Sequence, residues 1–325
     1  MKAITYRRFG AAADVLELVE LPTPEPGAGD VLVRVHASGI NPSDVKLRSG
    51  ARPGAVMQYP MIVPHSDGAG VIEAVGEGVD PARVGERVWI WNGQWQRAFG
   101  TGAQYIALPS DQAVFLPDTT SFAEGACFGI PAMTAWYGLY CDGPITDKTV
   151  LVTGGAGTVG RYACQMAALG GARVITTVSS DEKAAHSGAT DWVNYRTQDV
   201  AEAVMDMTNG AGVDLIVEVD FAANQPASLS MIRPGGTIAS YASASQMTPE
   251  LDFYGFMFKN IRLHMLIVYQ LDAAARRRGE AQLVEWLEQD ALSHAVVPGG
   301  NLSDAATAHQ MVEAGQKLGT VVLEV

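Results

Sequence analysis

The sequence is poor in cysteine and in positive charge. Its 325 residues contain three cysteines, Cys127, Cys141 and Cys164, none in a C-x-x-C pair. This excludes both a disulfide framework and a cysteine-rich zinc site. Lysine and arginine number 22 against 35 acidic residues, which gives a net charge of −13. A chain this acidic repels phosphate backbones and anionic lipid, so we expect no nucleic acid and no membrane among its partners.

Long apolar runs are also missing. The longest uncharged stretch runs from residue 125 to 141 and contains Gly129 and Pro131, so it predicts a buried helix rather than a membrane span. The first residues reach Arg7 without the apolar core of a signal peptide. We therefore expect a cytoplasmic protein. Hydrophobic residues make up 48% of the chain, which is enough to form cores in about two domains of ordinary size.

The first third of the chain has the pattern of a small all-β domain. Apolar residues alternate over residues 31–36, and this period of two predicts a strand. Turns rich in proline and glycine separate similar runs at 71–75, 87–91 and 104–108. One short helix is expected among them, capped by Asn41, with Pro42 at its first position and Asp44 in its first turn.

From about Ser121 the pattern changes to alternating strands and helices. Ser121 and Glu124 form the capping box of a first helix. The runs that follow are 149–153, 158–169, 173–178, 213–219, 227–232 and 236–241. Repeated βα units of this length predict a parallel sheet with helices on both faces. The remaining predicted elements are a strand over 261–269, helices over 276–290 and from Ser303, and a strand over 321–325.

Three glycines between residues 149 and 160 form a G-x-G-x-x-G motif. Such a triple is weak evidence alone, and a glycine-rich turn can exist without a ligand. Here, however, it follows an apolar strand and opens a helix of small residues. Glycines at this spacing allow a tight turn, close approach of backbone N–H groups to a pyrophosphate, and close helix–strand packing. The predicted dinucleotide contacts are Gly155, Ala156, Gly157, Thr158, Val159 and Gly160.

The end of the next strand bears on the choice between NADPH and NADH. Folds that prefer NAD place an acidic residue there to accept from the ribose 2′-hydroxyl. Here Ser179 and Ser180 end the strand and Lys183 follows, and these side chains can bind a 2′-phosphate, with Tyr195 closing the pocket. We therefore expect NADPH. Asp181 is the argument for NADH, and Lys183 would equally suit a solvent-exposed helix position.

Six motifs are spread along nearly the whole chain, at residues 38–44, 67–76, 85–88, 129–135, 155–160 and 234–236. Together they resemble the medium-chain dehydrogenase/reductase superfamily and, within it, the zinc-free quinone oxidoreductases of the zeta-crystallin type. The resemblance implies an α/β fold in which a doubly wound Rossmann domain is inserted into a β-rich, GroES-like catalytic domain. The GroES-like domain would then comprise 1–122 and 269–325, and the NADP-binding Rossmann domain 123–268.

The resemblance also implies roles for residues outside the glycine motif. Asn41 and Thr134 would lie near the nicotinamide, in a cleft between the domains. The residues that would follow the nicotinamide half of the cofactor are Tyr241, Ala242, Ser243, Val268 and Tyr269. Asn41 and Asp44 would orient the acceptor oxygen or a bound water, although both residues equally suit the cap of a helix.

This chain departs from its zinc-dependent relatives at the catalytic metal. Those relatives carry a ligand cysteine where this chain has Asn41, and a ligand histidine where it has Ser66. His65 stands one position early for that ligand. We therefore expect no metal.

Three residues bear on the substrate pocket: Lys46, Trp91 and Trp95. Lys46 stands where quinone reductases often have tyrosine, so it would alter the rim of the pocket. The segment 89–97 is rich in tryptophan. Trp91 and Trp95 would either flank a planar substrate, where ring stacking contributes roughly 0.5–1.5 kcal/mol, or simply pack in the core.

The reaction that the resemblance implies is direct hydride transfer from NADPH to a quinone, without a metal. An NADPH-dependent enone or alkenal double-bond reductase on the same scaffold is the first alternative. A cofactor-binding crystallin-like or RNA-binding protein is the second, and the negative charge argues against RNA. The predicted strand 261–269 would lie at a sheet edge, where pairing with a symmetry mate would give a homodimer.

Overall fold

The computed structural model describes residues 1–51, 54–315 and 317–325, and these form two units. One unit consists of residues 1–130 and 280–325, and the other of residues 131–279. The domain boundaries expected from the sequence lie earlier in the chain at both junctions.

The strands are β1 (Lys2–Thr5), β2 (Glu17–Glu20), β3 (Asp30–Ile40), β4 (Asp67–Val75), β5 (Arg87–Ile90), β6 (Tyr105–Pro109), β7 (Ala113–Phe115), β8 (Thr149–Val152), β9 (Arg173–Val178), β10 (Asp191–Asn194), β11 (Val213–Glu218), β12 (Ile232–Ser240), β13 (Arg262–Met265), β14 (Val296–Asn301) and β15 (Thr320–Glu324). The α-helices are α1 (Ala12–Val15), α2 (Pro42–Ser49), α3 (Phe122–Gly125), α4 (Gly129–Tyr140), α5 (Thr158–Leu169), α6 (Asp181–Ser187), α7 (Val200–Met207), α8 (Phe221–Met231), α9 (Phe253–Phe258), α10 (Ala273–Glu288) and α11 (Ala305–Ala314). Short 3-10 turns connect some of these elements.

The unit that contains both chain ends is built on a large, mostly antiparallel sheet. Its strand order is β14-β15-β3-β4-β5-β7, and β6 also pairs with β3. The alternation predicted over residues 31–36 is confirmed, because Val31, Val33 and Val35 are buried. They pack with Ile72 on β4, Val88 on β5 and Ile106 on β6, which are strands of the same sheet. The C-terminal segment joins the same sheet, since β15 pairs antiparallel with β3.

The helix expected after Asn41 is confirmed as α2, which begins at Pro42. Asp44 stabilises its start, because the carboxylate Oδ2 accepts the backbone N–H of Asn41 at 2.7 Å. The capping box of Ser121 and Glu124 is present at the start of α3. Among the described residues, no helix has both the length and the apolar character needed to cross a membrane.

The other unit contains a six-stranded parallel sheet in the order β10-β9-β8-β11-β12-β13. The chain moves outward from the central strand β8 to β10, returns, and then moves outward again from β11 to β13. This is the doubly wound order of dinucleotide-binding folds, so the predicted fold class is confirmed. Five adjacent strands each contribute a fully buried residue to its core: Leu151, Ile175, Val193, Ile216 and Ile238.

The prediction of one strand over 261–269 is wrong in its second half. The strand β13 ends at Met265, and residues 268–270 form a 3-10 turn. The reason is the length of the neighbouring strand, because β12 ends at Ser240, which is paired with Met265. After one more backbone hydrogen bond, from Leu266 to Ser240, the ladder has no further partner.

The helix predicted over 227–232 and the strand predicted over 236–241 also begin earlier than expected. The helix α8 starts at Phe221 and accommodates Pro226, and β12 follows it directly from Ile232.

Candidate cofactor and substrate site

The glycine motif forms a tight turn between β8 and α5. Gly154 has φ +69°, and a Cβ on Gly155 would lie 2.0 Å from Thr176 Oγ1. A Cβ on Gly160 would lie 2.3 Å from the carbonyl oxygen of Gly154. Only glycine therefore allows the helix to pack this closely on the strands. The turn places the start of α5 at the carboxyl edge of the parallel sheet, where dinucleotides bind in such folds.

The structure brings Ser179, Ser180, Lys183 and Tyr195 to the same edge, at the ends of β9 and β10. Ser180 caps α6, since its Oγ accepts the backbone N–H of Lys183 at 3.3 Å. The backbone N–H of Tyr195 bonds to the carbonyl of Val178 at 3.0 Å, and its side chain is exposed. Ser179 is buried beside them. These hydroxyls and one lysine share the edge with Asp181 and Glu182, which lie in the first turn of α6.

The segment that follows β12 is tied to the start of α8. The carbonyl of Ala242 accepts the N–H of Phe221 at 3.0 Å, and Ser243 Oγ accepts the N–H of Ala222 at 3.3 Å. The N–H of Tyr241 bonds to the carbonyl of Glu218 at 3.1 Å. The residues expected to follow the nicotinamide half therefore have fixed backbone positions at the carboxyl edge.

Two further residues expected to follow that half lie beyond β13. Val268 is buried and Tyr269 is half-buried, both in the 3-10 turn at residues 268–270. Thr134 is buried on α4.

A buried acid, Glu218, is the residue of this edge that the sequence reasoning missed. It ends β11, and burial raises the pKa of its carboxyl group above the ordinary value. The sequence does show an acidic residue near the end of the apolar run 213–219. The strand pattern alone, however, gives no reason for an acidic residue there.

The other unit contains a buried polar cluster around Asn41. The Nδ2 of Asn41 donates to Asp67 Oδ2 at 2.7 Å, and the backbone N–H of Ile130 donates to the same carboxylate at 2.9 Å. Asp44 is also buried, and its Oδ1 lies 3.4 Å from Ser66 Oγ. Burial raises the pKa of Asp67 well above its ordinary value, and the charge of Asp44 adds to this shift. Asp67 was not recognised as a site residue from the sequence, although it opens one of the six motifs.

A second buried chain of polar groups leads away from this cluster. Thr101 Oγ1 donates to the carbonyl of Asp67 at 2.6 Å and lies 3.0 Å from Ser38 Oγ. Ser38 Oγ lies 2.9 Å from His65 Nδ1, and His65 Nε2 lies 2.8 Å from His309 Nε2. Burial lowers the pKa of both histidines, that of His309 to about 3.

The structure thus gives both ring nitrogens of His65 a hydrogen-bonding neighbour. Among the described residues, no group of three or more His, Cys, Asp or Glu side chains could hold a metal ion.

The residues predicted for the substrate pocket have different environments. Lys46 is exposed on α2. Trp91 is buried, and its indole N–H donates to Glu280 Oε1 at 3.0 Å, whereas Trp95 is half-buried. Trp91 therefore packs inside its unit, and Trp95 is the more accessible of the two rings.

Comparison with known proteins identifies both units. Residues 27–118 match the alcohol dehydrogenase GroES-like domain, and residues 158–289 match the zinc-binding dehydrogenase family. The chain belongs to the medium-chain dehydrogenase/reductase family of oxidoreductases, in which its relatives include quinone oxidoreductases.

Three similar proteins illustrate this relationship. The quinone oxidoreductase of Rattus norvegicus is 33% identical over 246 residues, which cover 73% of this chain and 72% of that protein. The 2-haloacrylate reductase of a Burkholderia species is 30% identical over 335 residues, covering 99% and 98%. A mycobacterial protein solved in complex with NADPH superimposes with a TM-score of 0.86 at 32% identity, with full coverage of both chains.

Proposed function

We propose that this protein is an NADPH-dependent quinone oxidoreductase that transfers a hydride directly to its acceptor without a metal. The observation that carries the proposal is the carboxyl edge of the parallel sheet. There the glycine turn of β8 lies beside a second strand that ends in Ser179 and Ser180 instead of an acidic residue. The similarity to quinone oxidoreductases and to an NADPH complex supports the same assignment.

The residues of this edge fit a dinucleotide phosphate. The glycine turn leaves no room for a Cβ at Gly155, and the first N–H groups of α5 suit a pyrophosphate. Ser179, Ser180 and Lys183 would hold the 2′-phosphate, with Tyr195 beside them. NADPH, when bound, supplies the hydride. The protein then contributes binding and alignment, for which a rigid turn is well suited.

In the other unit, Asn41 and Asp44 would orient the acceptor oxygen or a bound water. One N–H of the Asn41 amide is committed to Asp67, and the amide oxygen faces the backbone N–H of Asp44 in the capping box of α2, so the second N–H would serve this role. Asp44 Oδ2 accepts the N–H of Asn41 at the start of α2, and Ser66 Oγ donates to Oδ1 at 3.4 Å, so both oxygens of this carboxylate are held in place. We propose that solvent delivers the proton, and that Asp67 fixes the orientation of the Asn41 amide.

A second candidate function is the reduction of a conjugated carbon–carbon double bond. The similarity to 2-haloacrylate reductase over nearly the full length of both chains favours it. Initial rates with 9,10-phenanthrenequinone, 1,4-benzoquinone and an alkenal, each with NADPH, separate the two proposals. We expect the quinones to be reduced with the higher kcat/KM. A preference for the alkenal would replace the quinone assignment by the second one.

We also propose a homodimer formed through the edge strand β13. This strand ends the sheet, and Met265 on it is 68% exposed. Close to it in sequence, α9 exposes Phe253, Tyr254 and Phe258. An exposed apolar edge with aromatic residues near it in the chain is typical of a surface that is covered in the native assembly.

Light scattering of the wild type and of Met265→Arg tests this dimer. We expect the wild type to have twice the chain mass of 34.4 kDa and the variant to have the mass of a single chain. A monomeric wild type at micromolar concentration would contradict the proposal. Arg277→Glu, which changes the charge of a residue on α10 instead, is the control and should remain dimeric.

A further inference from the structure

Glu218 is fully buried at the carboxyl end of β11, in the middle of the parallel sheet. Its oxygen Oε1 accepts the backbone N–H of Asp220 at 2.6 Å and the Nδ2 of Asn224 at 2.7 Å. Thr153 Oγ1 lies 3.1 Å from the same oxygen. The other oxygen, Oε2, is equally buried and has no hydrogen-bond partner among the described residues.

This asymmetry favours an uncharged side chain. A buried carboxylate spreads its charge over both oxygens, and a buried oxygen without a donor is costly in free energy. A carboxylic acid lowers this cost, because no charge is buried: the unpartnered oxygen carries the proton, while the other oxygen accepts from the three neighbouring groups. Burial is the largest cause of the raised pKa of Glu218 and acts in the same direction.

The three neighbours belong to the elements that surround the dinucleotide site. Thr153 directly precedes the glycine turn, and its Oγ1 also accepts the N–H of Val219 at 2.9 Å. Asp220 and Asn224 belong to the start of α8. The backbone carbonyl of Glu218 accepts the N–H of Tyr241 and so reaches the segment after β12. One residue therefore joins the glycine turn, the start of α8 and the 241–243 segment.

We propose, on the basis of the NADPH site proposed above, that Glu218 is a positioning residue for the dinucleotide that acts as an uncharged carboxylic acid. It holds the three elements at the places where the cofactor needs them and does not itself react. Ionisation of Glu218 as pH rises would place a buried charge at their junction and loosen NADPH binding.

The variants Glu218→Gln and Glu218→Ala distinguish the need for an uncharged acceptor at this position from the need for a charged carboxylate. Glutamine is uncharged and keeps an acceptor oxygen, so its Kd for NADPH, measured by quenching of protein fluorescence, should stay close to that of the wild type near neutral pH. Alanine leaves the three neighbours without their acceptor, and we expect about tenfold weaker binding. If glutamine weakens binding as much as alanine does, the charged form is required and the proposal is wrong.

Asp214→Asn is the matched control for a general loss of stability. Asp214 lies at the opposite end of the same strand, where it accepts the N–H of Thr149 at 2.7 Å and pairs with Arg233. Its loss should lower Tm without changing the Kd for NADPH. Weakening of NADPH binding by Asp214→Asn in proportion to its Tm loss would assign the effect of Glu218→Ala to stability alone.

The pH dependence gives a readout that does not require catalysis. Because the folded pKa of this acid is raised, its contribution to stability is full at low pH and is lost as pH rises through that value. The Tm of Glu218→Gln should therefore gain on that of the wild type as pH rises above the ordinary glutamate pKa of 4.5. Parallel Tm curves would overturn the uncharged form. If the wild type bound no NADPH, the proposed function would fail, while these curves would still test the protonation of Glu218.

Discussion

The two units achieve rigidity at their candidate sites by different means. In the parallel-sheet unit the turn after β8 is shaped mainly by the absence of side chains, because a Cβ at Gly155 or Gly160 would meet other atoms at 2.0 and 2.3 Å. In the other unit the cluster around Asn41 and Asp67 consists of buried side chains that bond to one another. A site made of backbone is sensitive to added volume, whereas a site made of buried polar groups is sensitive to lost partners and to pH.

The largest effect is expected from Gly155→Ala. The Thr176 hydroxyl, which the new Cβ would meet, also donates to the carbonyl of Val152 at 2.7 Å, so it cannot easily move away. We expect the free energy of unfolding to fall by about 3 kcal/mol and NADPH binding to weaken about hundredfold. Urea unfolding and fluorescence titration measure the two losses.

Gly157→Ala is the control within the same motif. Its Cβ would lie 3.3 Å from the carbonyl oxygen of Gly154, and its φ of −72° suits any residue. It should leave stability nearly unchanged and weaken only the binding of NADPH. Equal losses of stability in the two alanine variants would show that the packing of the turn does not depend on Gly155.

Asp67→Ala tests the side-chain cluster in the same way. It removes the acceptor of the Asn41 amide and of the Ile130 N–H, two buried donors. We expect a loss of about 2–3 kcal/mol in the free energy of unfolding, together with a lower kcat for quinone reduction. Asp67→Asn keeps the shape and one acceptor oxygen, so it should lose about half as much. An unfolding free energy unchanged in Asp67→Ala would contradict the structural role of this cluster.

The same difference between the units explains how far the sequence could be interpreted. The glycine motif and the apolar strands of the parallel sheet repeat local patterns, so the sheet and the glycine turn could be predicted. Asp67 and Glu218 could not, because a buried acid within a strand has no local pattern and its partners come from distant segments. The end of β13 depended on where β12 stops, which is a tertiary property. The His65–His309 contact joins residues 244 positions apart, so no spacing rule predicts it.

The pair of His65 and His309 makes the stability of the unit formed by residues 1–130 and 280–325 sensitive to acid. His309 is buried and its pKa is lowered to about 3, by burial first and by the charge of Arg48 second. The unfolded chain therefore binds a proton below about pH 6.5 that the folded chain excludes, and stability falls as pH decreases. Between pH 7.5 and pH 5 the wild type should lose about 2 kcal/mol more than His309→Gln. Identical pH profiles of urea unfolding in the two proteins would show that His309 titrates normally.

The smallest effect is expected from Lys183→Ala, and it bears on the cofactor alone. Lys183 lies in the first turn of α6, where its backbone N–H already bonds to Ser180, so loss of the side chain leaves the cap intact. If the ammonium group pairs with the 2′-phosphate, the KM for NADPH should rise about tenfold. The KM for NADH, which lacks that phosphate, should stay nearly constant. Steady-state kinetics with both cofactors measure the ratio, and Lys148→Ala, a change before β8, is the control. If NADPH and NADH lose equally, Lys183 does not contact the 2′-phosphate, and the preference must come from the hydroxyls of Ser179 and Ser180 or from Tyr195.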